Sequence, residues 1–487
     1  MNDSGALYHW SAQDLAAAVR EREISPVEII DAIEARVETT EPVLNAFITL
    51  DFERAREAAA AAEREVASGR PLGPLHGVPF SVKDLLDTEG LRTTFGSFAF
   101  EHNVPGRSVA AVRRLAEAGA VLFGKTTTPE FGHKPLTEAP LFGRTSNPWD
   151  PGCTPGGSSG GAAAAVAAGC GPIAVGTDGG GSTRIPAAAC GVVGVKQTLG
   201  VVPHDQTPDV FGLLAYIGPI ARTVSDAGLA LEVMAGPDSG DPHSIGREVS
   251  GVAAAALHGL SVRGLRIGYL PLLGNSRIDP ETRALVDDAV AVLEREGANV
   301  EVIDETLPPT YHIWGPLTFS IWAQRFAKHE QVLGDRMSDS LRRWMAEGRA
   351  ASALDVQAAM EGRTTLYRHV EQWLARFDFL VTPTLSRPAV SIEHDPSGEV
   401  EVAGELCGGL REGWYPYTHP FNLTGHPAVT VPAGWTTAGL PVGMQLVGRY
   451  LTDGEVLGVA RTYELARPWQ SRYRVLDAIG PPTGETS

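Results

Sequence analysis

The stretch from Thr154 to Arg184, TPGGSSGGAAAAVAAGCGPIAVGTDGGGSTR, combines three serines with many glycines and alanines. No charged residue lies between Pro151 and Thr177. A serine hydroxyl is a weak nucleophile until a neighbouring base takes its proton. Glycine lets the backbone approach a ligand closely, because it carries no side chain. This composition predicts a site at which a serine reacts in a space cleared of side chains.

The segment around Ser182 suits the stabilisation of negative charge. PIAVGTD predicts a strand, the glycines after it predict a tight loop, and Ser182 is expected to begin the next helical turn. Backbone N–H groups from such a loop converge on one spot, and the start of a helix adds positive potential there. We therefore expect an oxyanion hole formed by Gly179, Gly180, Gly181 and Ser182.

The chain contains far more arginine than lysine. Of the 40 lysines and arginines, only five are lysine: Lys83, Lys125, Lys134, Lys196 and Lys328. Arginine keeps its proton in proteins, whereas a desolvated lysine can lose it. Lys83 lies in the apolar run GVPFSVKDLLD and is therefore a candidate for a role that needs an uncharged amine. Lys328 lies in a charged helical segment, where a lysine needs no functional explanation.

Three other interpretations of the glycine-rich stretch fail on its details. A membrane span would be long enough, but glycine and proline interrupt it and alanine replaces leucine. A phosphate-binding loop needs a lysine after its glycines, and none follows. Gly157 to Gly161 matches the G-x-S-x-G elbow of α/β-hydrolases with Ser159 as nucleophile, but a turn-rich loop precedes it instead of a strand.

The elements that must position these residues follow an α/β pattern. Ser11 with Asp14 and the capping box Ser25–Glu28 open two helices, and a third, within residues 51–69, ends at Gly69. Short apolar runs such as GVPFSVKD, AVLFGKT, PIAVGTD and GVVGVK then alternate with helical stretches. Alternation of this kind favours an α/β fold around a largely buried sheet.

The second half of the chain continues this pattern. LRIGYL predicts a strand, residues 308–378 are helical and rich in aromatic side chains, and FDFLVTPT, PAVTVPAG and PVGMQLVG predict further strands. No repeat or low-complexity linker marks a domain boundary. We therefore predict one domain over residues 1–487, with a helical elaboration at about 308–378.

Three separated motifs resemble those of the amidase signature family. GGSSGGAAAAVAAG…GTDGGGSTRIPAAACGVVGVK resembles its glycine-serine signature, GVPFSVKD its lysine motif, and NLTGHPAVTVPAG…GLPVGMQLVG its C-terminal end. They occur in the family's order between about residues 70 and 450, with a signature core at about 70–220. The resemblance implies a mixed central sheet with helices on both faces.

The resemblance also implies a catalytic triad and an activity. Ser182 would be the nucleophile, Ser158 a bridging serine after a cis peptide bond, and Lys83 the base. The reaction would be hydrolysis of C–N bonds in hydrophobic amides through an acyl-enzyme, with esters, anilides or carbamates as further substrates. The alternative is the glutaminase component of glutamyl-tRNA amidotransferase, its A chain, which works with a partner protein. That component usually carries a tyrosine-rich segment where this chain has WGPLTFSIWAQRFAKHEQ.

Several positions bear on the substrate. The motif GTDGGGS has Gly179 where many members of the amidase signature family carry threonine. Thr183 stands in place of the family's usual isoleucine, and Gln197 stands in place of its usual proline. The residues that we expect to line the substrate pocket are Phe131, Gly132, Ser159 and Trp314.

Asp178 and Arg184 are expected to pair and hold the glycine loop. His133, His419 and His426 leave a Ser-His-Asp arrangement as the alternative mechanism.

The bulk composition limits the partners and cofactors. The net charge of −18 disfavours nucleic acid and anionic lipid as partners, and we expect a small-molecule amide instead. The four cysteines show no metal-ligand or disulfide spacing, and no cofactor motif is present, so we expect neither metal nor cofactor. The first fifteen residues lack the pattern of a secretory signal, and a cytoplasmic enzyme is expected. A homodimer is left open.

Overall fold

The computed structural model describes residues 6–212, 214–247, 249–308 and 310–480. Residues 1–5 of the segment considered for a secretory signal lie outside this part. The strands are β1 Phe47–Leu50, β2 Pro79–Lys83, β3 Val121–Thr126, β4 Glu138–Ala139, β5 Gly143–Arg144, β6 Ile173–Asp178, β7 Val193–Lys196, β8 Tyr216–Ala221, β9 Arg266–Tyr269, β10 Asn299–Val302, β11 Phe379–Pro383, β12 Glu401–Val402, β13 Glu405–Leu406, β14 Ala428–Trp435 and β15 Pro441–Val447.

Eleven of these strands form one sheet in the order β1-β3-β2-β6-β8-β7-β14-β15-β11-β9-β10. The neighbours β2–β3, β2–β6, β9–β10 and β9–β11 are parallel, and the other neighbours are antiparallel. The predicted mixed central sheet is therefore confirmed. Because strands from both halves of the chain join in this one sheet through the β7–β14 pair, we propose that the chain forms a single domain.

Helices flank the sheet. The α-helices are α1 Ala12–Glu21, α2 Pro26–Leu44, α3 Phe52–Ser68, α4 Ala110–Glu117, α5 Gly160–Ala167, α6 Arg184–Cys190, α7 Val224–Met234, α8 Val252–His258, α9 Pro280–Arg295, α10 Tyr311–Leu333, α11 Asp339–Ala350, α12 Ala353–Arg376, α13 His419–Thr424 and α14 Asp453–Ala466. Ser11 accepts a hydrogen bond from the Asp14 N–H, and Ser25 and Glu28 form the predicted capping box. Gly69 ends α3 with a φ of 72°.

The glycine-rich stretch supplies a short buried helix between two strands. Every residue of α5 is buried, and the main hydrophobic core includes its alanines. A Cβ on Gly161 would lie 2.2 Å from Thr127 Oγ1, so this helix packs closer to its neighbours than a larger residue would allow. Within the described ranges, no helix has the length and apolar character needed to cross a membrane.

Candidate active site

The Lys83 side chain lies at the centre of a cluster of hydroxyl groups. Lys83 is the last residue of β2, a strand with β3 and β6 as its neighbours, and its side chain has no exposure to solvent. Its Nζ lies 2.7 Å from Ser158 Oγ, 2.9 Å from Ser159 Oγ and 2.9 Å from Thr177 Oγ1. These three oxygens make Lys83 the meeting point of both serines of the GGSSGG motif.

The surroundings of Lys83 favour its uncharged form. Burial lowers the pKa of Lys83 well below its ordinary value, and the nearby charge of Asp178 only partly opposes this. A neutral amine has two N–H groups and one lone pair. Ser159 donates its own proton to the Thr177 carbonyl oxygen at 3.1 Å, so Ser159 accepts a hydrogen bond from Lys83. The lone pair of Nζ is thereby left for the hydroxyl of Ser158 or of Thr177.

Ser158 and Ser182 open into the same cavity. The Gly157–Ser158 peptide is cis, as the resemblance implies. Ser158 is buried and Ser182 half-buried, and both line the cavity. The Ser159 N–H donates to the Ser182 carbonyl at 3.2 Å and joins the two segments. The structure thus joins Lys83 to Ser158 and places Ser182 on the same cavity as Ser158, while the catalytic roles of all three stay a prediction.

The loop that carries Ser182 is fixed through its carbonyl groups. The Gly179 carbonyl accepts from Trp314 Nε1 at 3.0 Å, and the Gly180 carbonyl accepts from Thr418 Oγ1 at 2.7 Å. The next two carbonyls, of Gly181 and Ser182, accept from the N–H groups of Ile185 at 2.6 Å and Ser159 at 3.2 Å. Because the surrounding protein holds each carbonyl, the peptide planes of the loop have little freedom to turn. A fixed set of N–H donors is what a developing oxyanion requires.

The predicted set of oxyanion donors is wrong at one position. The Gly181 N–H donates to Asp178 Oδ1 at 2.6 Å, so it has its acceptor within the protein. The N–H groups of Gly179, Gly180 and Ser182 have no such acceptor among the described residues, and their role as oxyanion donors stays a prediction. Helix α6 begins at Arg184 rather than at Ser182, because Thr183 is its N-cap.

Asp178 and Arg184 form the buried ion pair that the sequence predicts. Arg184 Nε lies 2.9 Å and Nη2 3.0 Å from the Asp178 carboxylate, and neither side chain is exposed. Burial alone would raise the pKa of Asp178, but the charge of Arg184 and hydrogen bonds from Arg184, Asn422 and Thr183 hold it below its ordinary value. The carboxylate therefore stays charged and holds the Gly181 and Thr183 N–H groups.

Three residues of the C-terminal region hold this network and were not predicted. Asn422 Oδ1 and Gln445 Oε1 each accept from Arg184 at 2.6 Å, and Thr418 holds the Gly180 carbonyl. Asn422 and Gln445 lie inside the motifs NLTGHP and GMQLVG. A lone amide in an otherwise apolar buried motif is the signal that could have identified them, because burying an amide requires hydrogen-bond partners.

The cavity has a volume of about 410 Å³, and many aromatic side chains line it. Phe131, Gly132 and Trp314 line it, and that they bind the substrate stays a prediction. Ser159 does not: its side chain is fully buried behind the cavity, where it bonds to Lys83 and Thr177. That prediction is therefore wrong. The other aromatic or apolar side chains around the cavity include Phe95, Phe100, Trp322, Phe326, Leu214 and Tyr415.

The histidines of the alternative mechanism have other partners. His133 contacts the Glu130 carbonyl and Ser340 Oγ, both at 2.7 Å. His419 Nε2 lies 2.6 Å from Thr310 Oγ1, and His426 contacts Thr424 and Glu371. None of these contacts involves a triad serine, so the described geometry offers no Ser-His-Asp arrangement.

Comparison with known proteins gives consistent matches. The family profile described as Amidase matches residues 28–457. An acylamidase from Rhodococcus erythropolis is 40% identical over 474 residues, covering 95% of this chain and 97% of that protein. The A chain of the glutamyl-tRNA(Gln) amidotransferase from Picosynechococcus sp. is 36% identical over 485 residues, covering 93% and 96%. A bacterial aryl acylamidase of the amidase signature family has a similar structure, with a TM-score of 0.90, 32% identity, and coverage of 98% of this chain and 100% of that one.

Proposed function

The chain belongs to the amidase signature family of amide hydrolases, and from that premise we propose that it cleaves hydrophobic carboxylic amides through an acyl-enzyme on Ser182. The observation that carries this proposal is the contact of 2.7 Å between the buried Lys83 Nζ and the Oγ of Ser158, which lines a cavity rich in aromatic side chains. An uncharged amine in this position can accept a proton at neutral pH.

In the proposed first step, Ser182 Oγ attacks the amide carbonyl carbon. Its proton passes to Ser158 Oγ, and the Ser158 proton passes to Lys83 Nζ, so that the amine becomes an ammonium. The negative charge that forms on the carbonyl oxygen is stabilised by loop N–H groups of Gly179, Gly180 or Ser182. Asp178 supports this step indirectly, since its negative charge favours the ammonium form of Lys83.

In the second step the C–N bond breaks and the proton returns. Lys83 gives its proton back to Ser158, and Ser158 gives its own to the leaving amine, so both residues end in their starting state. A water molecule then attacks the acyl-enzyme with the same two residues as base, which releases the carboxylic acid and restores Ser182. In each turnover the lysine accepts a proton twice and returns it twice, for which a lowered pKa is needed.

The lining of the cavity favours substrates with apolar groups. The Phe131 and Phe326 rings stack at a centroid distance of 4.1 Å, and Trp314 packs edge-to-face on Trp322 at 5.8 Å. Such walls bind aryl or aliphatic groups by burying apolar surface. The resemblance to an acylamidase and an aryl acylamidase supports this choice of substrate.

The experiment uses the purified chain without ATP or a partner protein. We expect release of 4-nitroaniline from the 4-nitroanilide of a medium-length fatty acid. Ser182→Ala should lower kcat by about 10⁴-fold or more, and mass spectrometry of a quenched reaction should find the acyl group on Ser182. Glutaminase activity that requires an added partner, with no turnover of the anilide, would instead identify the amidotransferase component. An acyl group on another residue would overturn the mechanism.

A further inference from the structure

The catalytic cavity contains a buried cation without a counter-ion. Arg411 lines the cavity, and only 7% of its surface is exposed. Within the described ranges, no Asp or Glu oxygen lies within 4 Å of its guanidinium, and its buried Nε has no hydrogen-bond acceptor. A buried charge is costly unless a partner compensates it. This arginine is therefore a candidate for binding an anion.

Aromatic rings surround Arg411 and hold it in place. The guanidinium carbon lies 3.7 Å from the centre of the Trp314 ring, and four further rings lie between 5.6 and 5.9 Å: those of Tyr415, Tyr311, Trp344 and Phe319. Stacking of this kind orients the planar guanidinium but leaves its edge free for bidentate hydrogen bonds.

The nearest phenol does not serve as the missing anion. Burial raises the pKa of Tyr415 to about 12, although the charge of Arg411 and a hydrogen bond between the two side chains oppose the shift. Tyr415 is therefore neutral at the pH of the cell. The cavity's own carboxylates, Asp87 and Asp209, also form no ion pair with Arg411.

The second arginine of the cavity differs from Arg411. Burial lowers the pKa of Arg325, and the charge of Asp209 opposes that shift. Asp209 therefore acts on Arg325 as a nearby negative charge, whereas Arg411 is held by stacked aromatic rings. As the second arginine of the same cavity, Arg325 is a matched control.

We propose that Arg411 binds a carboxylate of the substrate, so that the preferred substrates are hydrophobic amides that also carry an acid group. This inference rests on the proposed function and names the substrate class more closely. A planar guanidinium matches a carboxylate by two parallel hydrogen bonds, and the cation favours that anion over an isosteric neutral group. Trp314 stacks on Arg411 and also donates to the Gly179 carbonyl, so only this one side chain separates Arg411 from the oxyanion loop.

The test compares anionic substrates with neutral ones of similar shape. One pair is glutaryl and pentanoyl 4-nitroanilide, with the acid on the acyl side, and the other is N-hexanoyl 4-aminobenzoate and N-hexanoyl aniline, with the acid on the amine side. For at least one pair, the wild-type kcat/KM should be at least about tenfold higher for the anionic member. Arg411→Gln should lower that ratio by about tenfold or more, and Arg411→Lys should lower it less. Arg325→Gln should leave the ratio within about twofold.

The ratio separates recognition from a structural role. If Arg411 only supports Trp314, Arg411→Gln lowers turnover of both members of a pair equally and the ratio stays constant, which overturns the proposal. An equal loss of the ratio in Arg325→Gln overturns it too. If Arg411→Gln does not fold, the wild-type inhibition constants decide: 4-phenylbutyrate should bind at least about tenfold more tightly than 4-phenylbutanol, and equal binding contradicts the proposal. Absent turnover of every neutral anilide would contradict the proposed function instead.

Discussion

At the scale of single residues, the site depends on one amine kept free of charge. Among the residues that the structure describes, Lys83 contacts three hydroxyl groups and no carboxylate, so burial dominates its pKa. Lys125 and Lys196 are also fully buried, whereas Lys328 is exposed. Burial lowers the pKa of Lys125 to about 8, partly opposed by Asp84. The scarcity of lysine in the sequence was therefore informative: four of the five lysines are buried, Lys134 being 7% exposed.

Replacement of Lys83 should show whether basicity or charge matters. Lys83→Arg keeps a cation but cannot accept a proton at neutral pH, so kcat should fall by about 10³-fold or more, as for Lys83→Met. Because the pKa of Lys83 is lowered, the wild-type kcat/KM should stay high at neutral pH. It should fall tenfold per pH unit only below that pKa. A pH–rate profile measures this, and a Lys83→Arg variant with near-normal turnover would contradict it.

Trp314 is expected to act through the Gly179 carbonyl. Trp314→Phe keeps an aromatic wall but loses the hydrogen bond of 3.0 Å that fixes this peptide. A hydrogen bond of this kind is worth about 1 kcal/mol, so kcat on a neutral anilide should fall about fivefold while KM changes little.

Trp322→Phe is the control for this prediction, since Trp322 lines the same cavity and its indole N–H has no acceptor among the described residues. Steady-state kinetics of both variants measures the difference. A loss that is equal in the two variants, or that affects KM alone, would assign Trp314 to substrate packing instead.

At the scale of elements, the glycine loop between β6 and α6 contains one position that has no room for a side chain and one position that has room. Gly181 has a φ of 126°, and a Cβ there would lie 2.2 Å from Thr418 Oγ1. At Gly179 the nearest atom to a Cβ would be Ala215 Cβ at 3.9 Å, so the space is open. A small side chain at Gly179 would therefore meet no close neighbour.

The two glycines should therefore respond differently to the same substitution. Gly181→Ala should lower the free energy of unfolding by about 2 kcal/mol or more, because it forces strained backbone against Thr418. Gly179→Ala should change it by less than about 0.5 kcal/mol. Denaturant unfolding of both variants measures the two values. Equal destabilisation would show that the loop does not have this geometry in solution.

The elements could be predicted from sequence more fully than the site could. Caps at Ser11, Ser25 and Gly69 and the apolar runs of the strands act locally, so pattern alone identified them. The position of Arg411 beside Trp314 and of Asn422 beside Arg184 depends on packing between segments far apart in the chain. The wrong prediction for Ser159 has the same origin, since neighbouring serines point to different sides of one loop.

At the scale of the whole molecule, one buried and one half-buried acid link helices to neighbouring segments. Glu464 of α14 is 1% exposed and accepts hydrogen bonds from Arg461, Gln470 and the Val224 N–H. Burial raises its pKa to about 7, although the charge of Arg461 opposes this. Glu41 of α2 holds the Ala46 and Phe47 N–H groups, and burial raises its pKa to about 7 as well.

The raised pKa of Glu464 makes a stability prediction with a definite sign. Between about pH 4.5 and 7 the folded chain binds the proton of Glu464 more tightly than the unfolded chain does, so this residue's contribution to stability falls as pH rises. Each pKa unit corresponds to about 1.4 kcal/mol. The stability of wild type relative to Glu464→Gln should therefore fall by up to about 3 kcal/mol from pH 4.5 to pH 7.

Denaturant unfolding at several pH values measures this difference in the free energy of unfolding. The contributions of other buried groups are the same in both chains and therefore cancel in the difference. Glu294→Gln, an exposed position on α9, is the control and should follow the wild-type curve. A constant difference between wild type and Glu464→Gln would mean that solvent reaches this carboxylate in the folded chain. The contacts of α14 with α7 and α8 would then be looser than the structure has them, since Glu464 holds the first N–H of α7.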